Sequence, residues 1–149
     1  MRRVLIVEDD SFVYDAIKAA FLLKGGFEVA YAGDGEAALA VLEREPPDLA
    51  IIDFWLPEMS GITIARQAAA RNVPVILMSG YPDVIASPEK YEFPMLPKPF
   101  RVSELVEGID QVIAEASRRL PINQQPVRPA GQWPSICGRM TLGTLATKA

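Results

Sequence analysis

Short, continuously apolar runs alternate with segments of helical period along the first 120 residues of the chain. Such runs are typical of strands in a parallel sheet that helices cover on both faces. The pattern predicts five strands, near Arg3–Val7, Phe27–Tyr31, Leu49–Asp53, Pro74–Met78 and Phe93–Leu96. Because right-handed crossovers join parallel strands, the carboxyl ends of all five then meet at one edge of a doubly wound α/β sheet.

Capping and stop signals between the runs predict where the helices begin and end. Gly25–Gly26 ends the first helix. Pro82 and Pro88 leave room for only a short helix within Tyr81–Tyr91. The other helices are predicted to begin at polar residues that favour a first turn: Ser11 and Asp34 as N-caps, Ser60, and the region of Ser103.

The character of the chain changes after Leu120. Residues 121–149 contain four prolines and three glycines and show no clear hydrophobic period. We interpret residues 1–120 as one domain and residues 121–149 as a disordered or loosely docked tail, too short for a standard DNA-binding domain. The alternative is a docking segment that uses the tail's apolar side chains, namely Trp133, Ile136, Met140 and Leu142.

Composition excludes several kinds of chemistry. The chain has no histidine, and Cys137 is its single cysteine. Serine–histidine and cysteine–histidine nucleophiles, the usual zinc sites and an internal disulfide are therefore excluded. Any reaction must use carboxylates, hydroxyls, lysine or a hard cation.

Charge and hydropathy indicate the class of partner. All 19 acidic side chains precede residue 121, and the formal net charge is −4. An acidic body argues against nucleic acid as a partner. No apolar run is long enough to span a membrane, and the run after Met1 stops at Val7, too early for a signal peptide. We therefore expect a cytoplasmic protein that makes no membrane contact.

Side chains capable of chemistry follow four of the predicted strands. Glu8 and Asp9 end the first, Asp53 ends the third, Ser79 ends the fourth and Lys98 follows the fifth. Strand ends at the carboxyl edge are where open α/β sheets bind ligands. We predict one site that holds a divalent metal and a phosphoryl group, with Asp53 as the residue modified.

Four motifs in this order resemble the receiver domain of two-component response regulators, over about residues 1–120. They are Val7-Glu8-Asp9-Asp10, Asp53-x-x-Leu56-Pro57-x-Met59-x-Gly61, Met78-Ser79-Gly80 and Leu96-Pro97-Lys98-Pro99-Phe100. The resemblance implies a flavodoxin-like (βα)5 sheet of strand order 2-1-3-4-5. It also implies a phosphoacceptor switch that catalyses only its own phosphorylation and dephosphorylation.

The same resemblance implies a magnesium site. Asp9 and Asp53 would bind Mg²⁺ directly, Glu8 largely through water, and the backbone carbonyl of Trp55 would complete the protein ligands. Asp10 is expected to support the helix start rather than bind metal. Gly61 is expected to serve a tight turn.

Lys98 and Ser79 are implied to respond to the phosphoryl group. Lys98, followed by a cis peptide to Pro99, would pair first with Asp53 and then with the phosphoryl oxygens, and Ser79 would hydrogen-bond the new group. The phosphoryl donor would be a sensor histidine kinase or a histidine phosphotransfer protein. The signal would leave through contact with an unidentified protein effector, from a stand-alone receiver.

Two features, at three positions, depart from the family pattern or qualify it. Met95 stands where many receivers have an aromatic that rotates with the hydroxyl, so that form of the switch is in question; Phe93 and Tyr91 are the alternatives. Trp55 and Tyr81 each lie two residues beyond a site residue. These two aromatics motivate the hypothesis that phosphate on Asp53 is long-lived.

Alternative functions account for the sequence less well than a receiver domain does. Gly33-x-Gly35-x-x-Ala38 matches a dinucleotide-binding fingerprint, but Asp34 and Glu36 would repel a pyrophosphate. A phospho-aspartate phosphatase requires Asp-x-Asp, and position 55 is tryptophan. A phosphorylation-independent interaction domain would lack some of the site residues. A phosphate relay or sink without an effector remains the second hypothesis.

Overall fold

The computed structural model describes residues 1–119, and these form a five-stranded parallel sheet with helices on both faces. The strands are β1 (Arg2–Val7), β2 (Phe27–Ala32), β3 (Leu49–Asp53), β4 (Val75–Ser79) and β5 (Met95–Pro97). Their order is β2-β1-β3-β4-β5, which confirms the predicted fold class. The expectations about residues 121–149 lie outside the described residues.

Within residues 1–119, four α-helices and one 3-10 helix connect the strands, and a fifth α-helix follows the last strand. The α-helices are α1 (Ser11–Lys24), α2 (Gly35–Arg44), α3 (Gly61–Ala70), α4 (Pro82–Ala86) and α5 (Val102–Arg118). Helix α4 is short, as the two prolines of this segment predicted, and the 3-10 helix Pro88–Tyr91 follows it. No helix among residues 1–119 combines the length and the apolar character that crossing a membrane requires.

Apolar side chains fill both faces of the sheet. One face packs against α1 and α5 through Ile17, Ala20, Phe21, Leu105 and Ile109. The other packs against α2, α3 and α4. All five residues of β3 and all five of β4 are buried, because helices cover both sides of these central strands.

Helix starts agree with the prediction except at α1. Asp34 caps α2 by accepting the Ala37 N–H at 2.8 Å, and Ser60 caps α3. At α1 the N-cap is Asp10, whose carboxylate accepts the backbone N–H of Phe12 at 2.8 Å and of Val13 at 3.3 Å. The prediction of Ser11 was therefore wrong by one residue, because the acid before it already satisfies the free N–H groups.

Strand register brings distant parts of the chain to one edge of the sheet. Asp53 pairs with Met78 across β3 and β4, and Ser79 pairs with Pro97 across β4 and β5. Val7 lies beside Ile52. The residues that directly follow β1 and β5 therefore lie next to the last residues of β3 and β4.

Candidate functional site

Three carboxylates form a cluster at the carboxyl edge of the sheet. Glu8, Asp9 and Asp53 each place an oxygen within 4.8 Å of the others. Glu8 is 1% exposed and Asp53 is 7% exposed, whereas Asp9 is open to solvent. The structure thus brings together the three acids that the sequence predicted, and Asp10 lies outside the cluster as the cap of α1.

Backbone hydrogen bonds hold Glu8 in its buried position. Its N–H donates to the Ala32 carbonyl at 3.1 Å, which continues the β1–β2 pairing by one residue. Its Oε1 accepts the N–H of Asp10 at 3.1 Å. The turn between β1 and α1 therefore directs the Glu8 carboxylate into the protein and leaves Asp9 facing solvent.

Lys98 supplies a cation to the cluster. Its Nζ lies 2.7 Å from Glu8 Oε2 and 3.3 Å from Asp53 Oδ1. Its backbone N–H donates to the Ser79 carbonyl at 2.7 Å, and the peptide bond to Pro99 is cis. The ammonium contacts both buried carboxylates, and the shorter contact is with Glu8.

Burial changes the acid–base properties of this cluster. Removal from water raises the pKa of Glu8 to about 7, although the Lys98 hydrogen bond opposes the change. Burial also raises the pKa of Asp53 against the opposing charge of Lys98. The pKa of Lys98 is raised because its contacts with Glu8 and Asp53 outweigh its own burial. Two desolvated carboxylates with one ammonium leave a site that favours a further cation.

The backbone around Asp53 is held tightly. Asp53 Oδ1 accepts the N–H of Trp55 at 3.4 Å, and Trp55 forms an isolated antiparallel bridge with Ser60. Gly61 donates its N–H to the Phe54 carbonyl at 2.8 Å. A Cβ on Gly61 would lie 2.0 Å from the Asp53 carbonyl oxygen. Glycine is required here by this close approach rather than by the tight turn that we predicted.

Ser79 places a hydroxyl beside the cluster. It is the last residue of β4 and is buried, and its Oγ accepts the N–H of Tyr81 at 3.1 Å. A hydroxyl held by a single hydrogen bond to a loop keeps its own proton available for another acceptor.

Two exposed aromatic side chains pack together next to the carboxylate cluster. The ring centroids of Trp55 and Tyr81 lie 5.5 Å apart, and both rings are about half exposed. Trp55 follows Asp53 by two residues, and Tyr81 follows Ser79 by two. The sequence singled out these aromatics separately, and the structure shows that they are in contact.

A second aromatic contact was not anticipated. Position 95, where many receivers have an aromatic, is a methionine that is completely buried in the core. Tyr91 instead packs edge-on against Phe54, with ring centroids 4.9 Å apart. The residue after Asp53 is thereby in contact with the 3-10 helix that precedes β5. The sequence suggests Tyr91 only as a substitute for the aromatic missing at position 95, and no residue next to Phe54 in the chain indicates this partner.

The dinucleotide alternative does not fit the geometry. Asp34 uses its carboxylate to cap α2, at the helix end where a pyrophosphate would bind. A Cβ on Gly35 would lie 2.7 Å from the Met59 sulfur, so this glycine serves contact with a neighbouring loop. The fingerprint is explained by the packing of α2.

Comparisons with known proteins agree with this geometry. The sensory transduction protein RegX3 of Mycolicibacterium smegmatis is 39% identical over 118 residues, which cover 76% of this chain and 51% of that protein. The receiver protein CpdR of Brucella abortus is 31% identical over 121 residues, 78% of this chain and 100% of that protein. The chain spans about half the length of RegX3.

Solved structures show the same architecture. A CheY-like receiver domain from Methanospirillum hungatei matches with a TM-score of 0.70 and 27% identity, covering 79% of this chain and 98% of that one. The family model described as the response regulator receiver domain matches residues 4–110, a span that contains all five predicted site residues. With its 2-1-3-4-5 sheet and the acidic cluster at the carboxyl edge, the chain belongs to the response regulator receiver domain family of two-component systems.

Proposed function

We propose that Asp53 accepts a phosphoryl group from a sensor histidine kinase or a histidine phosphotransfer protein. The observation that carries the proposal is the position of the Asp53 carboxylate. It shares a cluster with Glu8 and Asp9 and lies 3.3 Å from the Lys98 ammonium. A nucleophilic oxygen between metal ligands and a cation is the arrangement that phosphoryl transfer requires.

The oxygen donors suit Mg²⁺, which prefers hard ligands and keeps several waters. Asp9 and Asp53 would hold the ion directly, Glu8 largely through water, and the Trp55 carbonyl would complete the set. When bound, the ion offsets the negative charge that builds up between the carboxylates and the incoming phosphoryl group. The raised pKa values of Glu8 and Asp53 support this assignment, because burial disfavours both carboxylate anions and the single Lys98 ammonium does not fully offset that effect.

Asp53, Lys98 and Ser79 then have separate roles in phosphoryl transfer. An Asp53 carboxylate oxygen attacks phosphorus in line while the bond to the donor's imidazole nitrogen breaks. The Lys98 ammonium moves from the carboxylates to a phosphoryl oxygen, and the Ser79 hydroxyl donates a hydrogen bond to another. Ser79 ends β4 and Lys98 follows β5, so their movement shifts the surface around β5 and its flanking helices.

The output is a contact with another protein, made by a stand-alone receiver. The full-length match to CpdR, itself described as a receiver protein, supports this form. The proposed contact involves neither nucleic acid nor a membrane. A pull-down and a transfer assay separate a switch from a phosphate relay or sink. Binding of a non-kinase protein to the phosphorylated chain alone would support the switch. Transfer of the phosphoryl group from Asp53 to a histidine of another protein would support the relay.

Acetyl phosphate with Mg²⁺ tests the assignment of Asp53. Intact mass should rise by one phosphate in the parent and in Asp15→Asn, a matched change of an exposed acid on α1. The gain should be absent in Asp53→Asn and when Mg²⁺ is chelated. A gain that persists in Asp53→Asn, or none in the parent, would overturn the proposal.

A further inference from the structure

Helix α1 exposes an apolar stripe that belongs to neither of the two hydrophobic clusters described within residues 1–119. Phe12 is 84% exposed, Leu22 68% and Leu23 80%. Phe12, Ala16, Ala19 and Leu23 follow one another at helical spacing, with Leu22 beside them, and both alanines are exposed. We call these five residues the α1 stripe. Contiguous exposed apolar surface of this kind marks a contact site.

The stripe lies apart from the side of α1 that is already occupied. Ile17, Ala20 and Phe21 face the sheet. Tyr14 packs against Tyr31 of β2 with ring centroids 4.2 Å apart. Each of these contacts leaves Phe12 and Leu23 in solvent. The α1 stripe is therefore additional to the core of the domain.

The chain leaves the described domain near one end of this stripe. Helices α1 and α5 pack side by side, and Lys24 forms an ion pair with Asp110. Both helices follow strands of a parallel sheet, so both run from the carboxyl edge towards the amino edge. The end of α5 at Arg118 and the Leu22–Leu23 end of α1 thus lie towards the same edge of the molecule.

The length of the following segment permits it to cover the stripe. The stripe spans about 16 Å from Phe12 to Leu23, at about 1.5 Å per helical residue. About five extended residues cover this distance at roughly 3.3 Å each. Residues 120–149 follow the described domain, and their apolar side chains include Trp133, Ile136 and Met140.

Charge also favours residues 120–149 as the segment that covers the stripe. Residues 121–149 carry Arg128, Arg139 and Lys148 and no acid, whereas all 19 acids of the chain lie before them. Asp15 is exposed between Phe12 and Ala19 on the same side of α1. A basic, apolar segment therefore matches an apolar stripe that has an acid at its side.

We propose that residues 120–149 dock on the α1 stripe within the same molecule, with Trp133, Ile136 and Met140 covering Phe12 and Leu23. A second copy of the chain fits less well. A stable dimer buries about 800 Å² per partner, more than three large side chains and two alanines provide.

Cys137 lies within the proposed docking segment and is the chain's single cysteine, so it can carry a nitroxide spin label in the full-length protein. Amide signals of Phe12–Leu23 should lose most of their intensity while the label is oxidised and regain it on reduction. Signals of α3, on the opposite face of the sheet, should be unchanged. A Phe12→Ser, Leu23→Ser double variant should restore the α1 signals, because both side chains are exposed and their loss leaves the core intact. Lys18→Ser, on α1 beside Tyr14, is the matched control, and the α1 signals should remain weak in this variant.

Mixing separates the possible occupants. Isotope-labelled Cys137→Ala chain is combined with unlabelled spin-labelled chain, and its α1 signals should keep their intensity. Their loss in the mixture would show that a second copy occupies the stripe and would overturn the proposal. Unaffected α1 signals in the singly labelled full-length chain would also overturn it, because the stripe would then be left open for a different protein.

Discussion

At the scale of single residues, the site depends on how closely one backbone segment approaches another. Gly61 lies against the carbonyl of Asp53, where a Cβ would come to 2.0 Å from the oxygen and 3.0 Å from the Phe54 Cα. The atoms in contact are backbone, which cannot move aside as a flexible side chain does. The start of α3 is thereby packed directly under the proposed phosphoacceptor.

Gly61→Ala should destabilise the protein by about 3 kcal/mol or more, the upper end of what overpacking costs. Gly80→Ala is the matched control, since a Cβ there would meet its nearest atom, Lys98 Cβ, at an ordinary 3.7 Å. Its effect should stay within about 0.5 kcal/mol. Urea unfolding of both variants measures the difference, and equal stabilities would show that the close approach is not a constraint.

At the scale of elements, the loops after β1, β3 and β4 determine what the site presents. The loop after β1 directs Glu8 inward and uses Asp10 to begin α1. The loops after β3 and β4 carry Trp55 and Tyr81, whose rings touch at the edge of the cluster. Each loop lies next to a residue of the predicted site and carries a residue that organises its surroundings.

The assignment of Asp10 as the α1 cap predicts that alanine substitutions at two adjacent residues differ in their effect on the free energy of unfolding. Asp10→Ala removes both hydrogen bonds to the first turn and should cost about 1 kcal/mol of unfolding free energy. Ser11→Ala should change stability by less than about 0.5 kcal/mol. Thermal unfolding without Mg²⁺ compares them, and a larger loss in Ser11→Ala would restore the cap that sequence alone suggested.

We predict that the Trp55–Tyr81 pair slows the loss of phosphate from Asp53, because two touching rings beside the cluster would hinder the approach of water. A Trp55→Asn, Tyr81→Glu double variant should lose phosphate several-fold faster than the parent. Trp55→Phe, Tyr81→Phe keeps two rings and should stay close to the parent. Phosphate release after phosphorylation by acetyl phosphate is the measurement. Equal rates in the parent and the polar double variant would remove the pair from the mechanism.

At the scale of the whole molecule, the buried carboxylates connect folding to pH and to metal. The pKa of Glu8 is about 7 in the folded protein, whereas the ordinary value of a glutamate side chain is 4.5. Between these values the folded state holds the proton and the unfolded state has released it. Stability from Glu8 is therefore fully present below about pH 4.5 and is lost as pH rises towards about 7.

Metal-free parent protein should consequently lose stability relative to Glu8→Gln as pH rises from about 4.5 to about 7, and the difference should then level off. Saturating Mg²⁺ at pH 8 should reverse the order, because the ion offsets the ionised carboxylates. Chemical unfolding at fixed pH values measures both effects. A constant difference between parent and variant over this range would contradict the pKa of Glu8.

Much of the fold followed from local patterns, and the misses have local reasons. The β3 prediction matched Leu49–Asp53, and the order 2-1-3-4-5, which the family resemblance implied, was confirmed. The fifth strand was predicted at Phe93–Leu96 and lies at Met95–Pro97, since a short buried strand among prolines has weak boundary signals. The start of α1 shifted by one residue because Asp10 and Ser11 can both cap a helix.

The sequence by itself determined the βα alternation, the family resemblance and the five side chains that follow strand ends, because each is a pattern within a few neighbouring residues. Only the tertiary structure decided that Lys98 lies closer to Glu8 than to Asp53, that Trp55 meets Tyr81, and that Gly61 touches the Asp53 carbonyl. It also left Phe12 and Leu23 uncovered on α1. These contacts join segments that are far apart in the chain, and their distances depend on how helices and loops pack against the finished sheet.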